Sequence, residues 1–342
     1  MEPLTQPLTL MERPRPEQLP ETAQEWLFAL PGAVAIWVEG RDARRTRAVT
    51  AMLHGNEPSG LHAVFRWLKS GAIPQTQLLI VIGAVAAARL TPVFSHRMMP
   101  GGRDLNRCFL TPGDDEEGRL AQAILEVLRR HRPEAVVDLH NNSGHNPAYG
   151  VSTRVDPERL GLVSLFARRF VVSNFGLGAL MDALADELPI VTIESGRRLD
   201  PAADACAHAG LERYAAAEEL PRLEAGASGV QVLDRAVRVQ VRPGLSIGFG
   251  DHRQSFTDVT CAMDVDRHNF QELPAGTEVA WVGSGVDRPF EALDEHGRDV
   301  ADRIFRRNGL AICTARELIP VMMTTDARIA LADCLFYAVQ RR

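Results

Sequence analysis

The chemistry of the chain is concentrated in a few short stretches, the first being Ala51-Met-Leu-His-Gly-Asn-Glu-Pro-Ser-Gly60. His54 and Glu57 are three residues apart. Gly55 permits a sharp turn between them, and Pro58 stands where a helix can begin, since its missing N–H costs nothing in a first helical turn. An imidazole and a carboxylate brought together in this way can supply two ligands of a divalent cation, and such nitrogen and oxygen donors suit Zn²⁺. The spacing also arises by chance, so it needs partners elsewhere in the chain. His140, in Asp138-Leu-His-Asn-Asn142, offers a third ligand. On a strand Asp138 projects from the same face and can orient that imidazole through its other nitrogen; taken alone, His140 reads equally as a buried structural histidine. Glu194 ends the apolar run Pro189-Ile-Val-Thr-Ile, and a carboxylate there is costly unless paired or functional. Desolvation would raise its pKa toward the range useful for taking a proton from a metal-activated water, whereas the plain alternative is a surface carboxylate just past a strand. Arg97, Arg103, Asn106 and Arg107 lie in or just before the loop Pro100-Gly-Gly-Arg-Asp-Leu-Asn-Arg107. Guanidiniums there can grip a carboxylate bidentately and polarise a carbonyl; the competing reading is a solvated basic turn.

Such residues need rigid elements beneath them. Residues 32–39 and 47–54 read as strands, and 58–70 has helical spacing through Leu61, Val64, Phe65 and Leu68. The continuous apolar run 77–85 predicts a strand covered on both faces. Residues 116–131, 157–170 and 202–220 follow as helices, and 135–140 and 189–194 as strands. Alternating strands and helices imply an α/β domain with a mixed, largely parallel sheet flanked by helices. In such sheets ligands bind beyond the carboxyl ends of strands, where His54, His140 and Glu194 each fall. After residues 223–229 the pattern changes to short Val-rich strands at 236–242, 245–249 and 276–283, so a smaller β-rich C-terminal domain is expected, dividing the chain into 1–228 and 229–342. The Pro-rich residues 1–30 are expected to form a surface arm or a partly ordered lead-in.

Bulk properties narrow the class. A chain of 342 residues is long for one core, and its net charge of −6, from 38 basic against 44 acidic residues, comes with no basic stripe interleaved with aromatics. Nucleic acid is therefore not an expected partner. No run approaches the roughly 18 apolar residues a membrane helix needs, so no membrane partner is expected either. The start, Met1-Glu-Pro-Leu-Thr-Gln-Pro7, does not read as a signal peptide. Five scattered cysteines without a C-x-x-C pair (Cys108, Cys206, Cys261, Cys313 and Cys334) fit a reducing cytoplasm and buried packing roles. Cys108 adjoins Arg107 but reads as packing, Tyr149 could reach a substrate or pack, and His145 reads as a solvated loop residue.

Four motifs, His54-Gly-Asn-Glu57, Asp104-Leu-Asn-Arg107, Asp138-Leu-His140 and Ile193-Glu194, occur in the order and approximate spacing of the succinylglutamate desuccinylase/aspartoacylase family, a branch of the zinc carboxypeptidase superfamily. The resemblance spans about residues 45 to 200. It implies a zinc carboxypeptidase-like fold and one Zn²⁺ per chain held by His54, Glu57 and His140. It also implies that Glu194 is the general base and later the acid that protonates the leaving amine. Asn106 and Arg107 would bind polar groups of the substrate. In that family an arginine upstream of Asp-Leu-Asn-Arg polarises the scissile carbonyl. Arg97 and Arg103 flank the expected place; Arg103 is assigned to the carbonyl and Arg97 to substrate binding. Aspartoacylase-like members also carry an Arg and a Tyr shortly before the catalytic Glu. Residues 177–188 contain neither, which speaks against N-acetylaspartate and succinylglutamate as natural substrates. The expected activity is hydrolysis of the amide of a small N-acyl amino acid or related compound, with homo-oligomer formation left open. Two alternatives are a metallocarboxypeptidase acting on peptide C-termini and a non-catalytic zinc-binding regulatory protein. The hydrolase reading requires the imidazoles of His54 and His140 within about 6 Å of each other, close enough to share an ion at ~2.1 Å bond lengths.

Overall fold

The computed structural model describes residues 7–226 and 229–342. The division expected at residue 228 and the first six residues of the N-terminal lead-in lie outside the described residues. The chain forms two compact units: Met1–Asn141, Ala148–Phe170 and Gly176–Gln231 make one, and Asn142–Pro147, Val171–Phe175 and Val232–Arg342 the other. Each unit is thus assembled from separate stretches of sequence.

The first unit contains β1 (Thr9–Glu12), α1 (Ala23–Ala29), β2 (Val34–Val38), β3 (Asp42–Ala51), α2 (Ser59–Lys69), β4 (Thr76–Ile82), α3 (Val85–Ala88) and α4 (Glu116–His131). These are followed by β5 (Val136–Asn142), β6 (Tyr149–Ser152), α5 (Pro157–Ser164), β7 (Arg169–Val172), α6 (Leu180–Leu184), β8 (Ile190–Arg197) and α7 (Pro201–Ala216). The strands lie in the order β1-β2-β4-β3-β5-β8-β6-β7. Pairing is parallel between β1 and β2, β3 and β4, and β3 and β5, and antiparallel between β2 and β4 and between β6 and β8. The fold is therefore the expected mixed sheet flanked by helices. Every residue of β4 is buried, as a strand covered on both faces requires. Ala48, Val81 and Val136 from the sheet meet Ile124 and Leu128 of α4 in one apolar cluster. Asp115 caps α4 by accepting from Gly118 N, and acidic residues fill its first turn and basic residues its last, as the helix dipole favours.

Three expectations need correction. Residues 9–29 are ordered: β1 pairs with β2, and α1 is fixed by a Thr22–Glu25 capping box with Trp26 and Leu27 buried. Strand β3 stops at Ala51, three residues short of His54, because Met52 takes a left-handed φ of 54° and its carbonyl accepts from Ala84 N at 2.6 Å. The helix read over 157–170 ends at Ser164, and residues 169–172 form β7. A short helix, α6, lies in the segment 177–188.

The second unit is β-rich, as expected. It contains β9 (Gln231–Val241), β10 (Ile247–Phe249), β11 (Val259–Cys261), β12 (Glu278–Val282), β13 (Phe290–Leu293), α8 (Ala301–Ile304), β14 (Phe305–Asn308), β15 (Ala311–Thr314), β16 (Ile319–Val321), α9 (Ala327–Ala332) and β17 (Phe336–Arg341). One five-stranded sheet runs β10-β11-β12-β15-β14, while β9 pairs antiparallel with both β13 and β17. Val239, Val259, Val282, Ile304 and Phe336 share its core. Among the described residues no helix is long and apolar enough to cross a membrane.

Candidate active site

The turn that carries His54 and Glu57 is fixed from several sides. Gly55 is pressed so closely on α3 that a Cβ would come within 2.6 Å of Ala88 N. Its own N–H donates to Arg97 O at 2.9 Å, and Glu57 N donates to His54 O at 3.2 Å. Pro58 occupies the N-cap of α2 rather than its first helical position, a one-residue difference that leaves the turn as expected. His140 comes from β5 and projects on the same face as Asp138 two residues before it.

These elements bring the three expected ligands together. His54 Nδ1 lies 2.8 Å from Glu57 Oε1, and His140 Nδ1 lies 2.7 Å from Glu57 Oε2. The imidazole centroids are 5.0 Å apart. Their candidate ligand atoms all fall within 4.8 Å of one another, and this is the one such His/Cys/Asp/Glu cluster among the described residues. The outer nitrogen of each ring donates to a further carboxylate: His54 Nε2 to Asp104 Oδ1 at 3.0 Å, and His140 Nε2 to Asp138 Oδ2 at 2.8 Å. Asp138 in turn accepts from Thr50 Oγ1 at 2.5 Å. A carboxylate can only accept, so each Nε2 carries a hydrogen, and each Nδ1, which faces Glu57, presents a lone pair only where a cation takes the place of its hydrogen.

The electrostatics favour a cation as well. Glu57, Asp138 and Glu194 are buried, Asp104 is 84% withdrawn from solvent at its side chain, and the guanidiniums of Arg97 and, at longer range, Arg107 act on them. With neutral imidazoles the carboxylates outnumber the guanidiniums, and buried charge of one sign costs several kcal/mol per ion unless compensated. Burial by itself would lower the pKa of His140, but Asp138 and Glu57 at its two nitrogens outweigh this and raise it well above the ordinary imidazole range. The imidazolium thus supplies positive charge that a divalent ion would otherwise provide. The donor set and the charge deficit together fit Zn²⁺.

Glu194 is at a middle position of β8, directly opposite Tyr149 of β6. It is 7% exposed, and its Oε2 is buried with no hydrogen-bond partner among the described residues. Burial first, and then the negative charge of Glu57, push its pKa up to about 7. A buried, incompletely bonded carboxyl that titrates near neutrality suits general acid–base work.

The arginine loop is arranged differently from the sequence reading. Arg97 reaches the cluster, donating from Nε to Asp104 Oδ2 at 2.9 Å and from Nη1 to Glu57 Oε1 at 3.4 Å. Arg103, assigned above to the scissile carbonyl, is not joined to it: its guanidinium donates to Asp115 at 2.5 and 2.8 Å on a half-exposed surface, drawn there by the carboxylate that caps α4. Asn106 is buried, and its Oδ1 accepts from Leu180 N at 3.0 Å. That oxygen tethers the start of α6, and Gly178, with φ +84°, packs so closely that a Cβ would be 2.6 Å from Arg107 O. Arg107 Nη1 donates to Asn106 O at 3.0 Å. Asp104 was missed as the partner of His54, although it stands in a quoted motif; local spacing carries no sign that its carboxylate meets an imidazole fifty residues away. Cys108 is buried, and burial raises its thiol pKa, which agrees with a packing role.

Residues 43–174 match the family model described as the succinylglutamate desuccinylase/aspartoacylase catalytic domain. The matched segment includes His54, Glu57, Asp104 to Arg107 and His140, and it ends before Glu194. The match bears out the family resemblance over three of the four motifs, Ile193-Glu194 lying beyond it. No curated protein matches the chain. Among solved structures, a succinylglutamate desuccinylase/aspartoacylase from Rhodobacter sphaeroides is 16% identical with a TM-score of 0.57, covering 90% of this chain and 87% of its own. Murine aminoacylase 3 is 18% identical with a TM-score of 0.54, covering 89% and 97%. The product-bound ectoine utilization protein EutE (DoeB) from Ruegeria pomeroyi is 15% identical with a TM-score of 0.54, covering 89% and 87%. These are similarities of fold.

Proposed function

We propose that this chain, whose residues 43–174 match the desuccinylase/aspartoacylase catalytic domain, is a zinc-dependent amidohydrolase that removes the acyl group from a small N-acyl amino acid or related compound. One observation carries the reading: three ligand side chains converge within 4.8 Å, and a buried carboxyl with an unpartnered oxygen faces the same electrostatic neighbourhood. One Zn²⁺ per chain would be held by His54, Glu57 and His140, and when bound it acidifies a water and polarises the scissile carbonyl. Glu194 takes the proton from that water and later delivers it to the leaving amine. Asp104 and Asp138 hold the two imidazoles in the tautomer that presents Nδ1 inward. Arg97, next to Glu57, takes the oxyanion-stabilising role first given to Arg103, an interaction typically worth roughly 3–4 kcal/mol in the transition state. Arg107 and the amide nitrogen of Asn106 would bind polar groups of the substrate. The segment 177–188, without Arg or Tyr, favours substrates lacking a second carboxylate. Residues 229–342 form a separate β-rich domain in this reading, the protein works in the cytoplasm, and homo-oligomer formation stays open.

The test is metal analysis of the purified protein together with hydrolysis of a panel of N-acyl amino acids and of peptides. Stoichiometric zinc with release of free amino acid from the acylated panel is expected. Release of C-terminal residues from long peptides would replace this reading with a carboxypeptidase. Stoichiometric zinc without turnover of either panel would replace it with a binding or regulatory protein.

A further inference from the structure

Behind the ligand turn lies a second polar cluster that the proposed chemistry does not use. Helix α2 begins without a side-chain cap, because Pro58 has none to offer, so the first N–H groups of the helix need acceptors from elsewhere. Asn141, the residue after His140, provides one: its Oδ1 accepts from Ser59 N at 3.0 Å. Its Nδ2 donates to Ser59 Oγ at 2.9 Å and to Gly196 O at 3.1 Å. The backbone N–H of Asn141 donates to Glu57 Oε2 at 3.2 Å. One residue, 3% exposed, thereby ties together the turn bearing Glu57, the strand bearing His140 and the strand bearing Glu194.

The direction of each bond in this cluster follows from groups that can only donate or only accept. Ser59 Oγ donates to Asp204 Oδ1 at 2.5 Å, and Asp204 Oδ2 lies 2.8 Å from His62 Nδ1. Because Asp204 accepts, the hydroxyl hydrogen of Ser59 points toward α7 and its lone pair is left for Asn141 Nδ2. The Ser59 N–H and the Gly196 carbonyl fix the amide, with its oxygen toward Ser59 N and its nitrogen toward Gly196 O and Ser59 Oγ. Although Ser, His and Asp all occur here, the arrangement is not a nucleophilic triad: the carboxylate stands between the other two, and Ser59 is fully buried. Close packing supports the same hold. A Cβ on Gly60 would meet Ala51 Cβ at 2.9 Å and Leu139 Cβ at 3.0 Å, so the start of α2 rests directly on β3 and β5.

We infer that Asn141 is a positioning residue for the metal-binding turn, locking the start of α2, and with it the Glu57 ligand, against the strand that carries His140, and that Asp204 on α7 supports the lock by holding the Ser59 hydroxyl with its lone pair toward Asn141 Nδ2. The inference rests on the metal-site reading above. Partners of this kind behind a ligand typically change metal affinity by about 10–100-fold when removed.

The experiment measures the Zn²⁺ dissociation constant by competition with a chromophoric chelator, alongside thermal melting of the metal-free proteins. The set comprises wild type, Asn141→Ala, Ser59→Ala, Asp204→Ala, Asp204→Asn and Glu57→Ala. Asn141→Ala is expected to weaken zinc binding by about 10–100-fold, and Asp204→Ala by about 10-fold. Asp204→Asn keeps an acceptor oxygen and should return close to wild type. Should Asn141→Ala fail to fold, Ser59→Ala and Asp204→Ala carry the same test. Wild-type zinc affinity in the folded Ala variants, with only their metal-free melting lowered, assigns the cluster to helix packing and overturns the inference. Wild-type affinity in Glu57→Ala overturns the metal site itself, a result separable from the first.

Discussion

Replacing Glu194 by Gln tests the site without any substrate. In the metal-free protein Glu194 is 7% exposed and titrates near 7, against 4.5 for the unfolded side chain. The sign follows from which state holds the proton. Below pH 4.5 both states are protonated and the residue has no pH-linked effect. As pH rises the unfolded chain releases its proton first, so the folded state loses relative stability until pH passes about 7, above which the full cost remains. Linkage gives about 1 kcal/mol at pH 5 and about 3 kcal/mol at pH 8. Glu194→Gln keeps the size and removes the charge. Metal-free Glu194→Gln should therefore melt well above metal-free wild type at pH 8, and by a much smaller margin at pH 5. Differential scanning calorimetry at the two pH values, with zinc removed by dialysis against chelator, reads this directly. An equal shift at both pH values, or none at either, would refute the assignment of a desolvated, proton-holding carboxyl. The same variant, loaded with zinc, should keep its metal and lose turnover.

Three further outcomes follow from the geometry. Asp138→Ala leaves the Nε2–H of His140 and the hydroxyl of Thr50 without their shared acceptor; zinc affinity should fall by about 10–100-fold in chelator competition. Arg97→Ala should lower kcat/KM by about 10²–10³, whereas Arg103→Ala, which breaks only the half-exposed pair with Asp115, should leave kinetics unchanged and cost at most about 1 kcal/mol in denaturant titration. Gly60→Ala forces a methyl into contacts of 2.9 and 3.0 Å with Ala51 and Leu139, and should destabilise the protein by about 1–3 kcal/mol in the same titration.

How much of this was legible beforehand differs from residue to residue. The strand-turn-helix at His54, Glu57 and α2, the placement of Asp138 beside His140, and the amphipathic α4 follow from local rules. A strand alternates faces, a helix repeats every 3.6 residues, and Gly and Pro mark turns, so the amino-acid order alone determines the elements and the faces on which their polar side chains stand. The family motifs added the expectation that these ligands serve one ion. Tertiary structure decided the rest. Met52 leaves the strand through a left-handed conformation whose carbonyl is taken by Ala84, residues away in sequence. The choice between Arg97 and Arg103 depends on which carboxylate each guanidinium can reach, Asp104 or Asp115. Asn106, by its chemistry a substrate-gripping amide, has its oxygen engaged by Leu180, and Asn141, unremarked in its motif, links three segments. Hydrogen bonds and ion pairs of this kind join groups tens of residues apart, and only packing sets their distances. Local sequence periodicity therefore specifies which side chains are available, and the folded core specifies which of them meet.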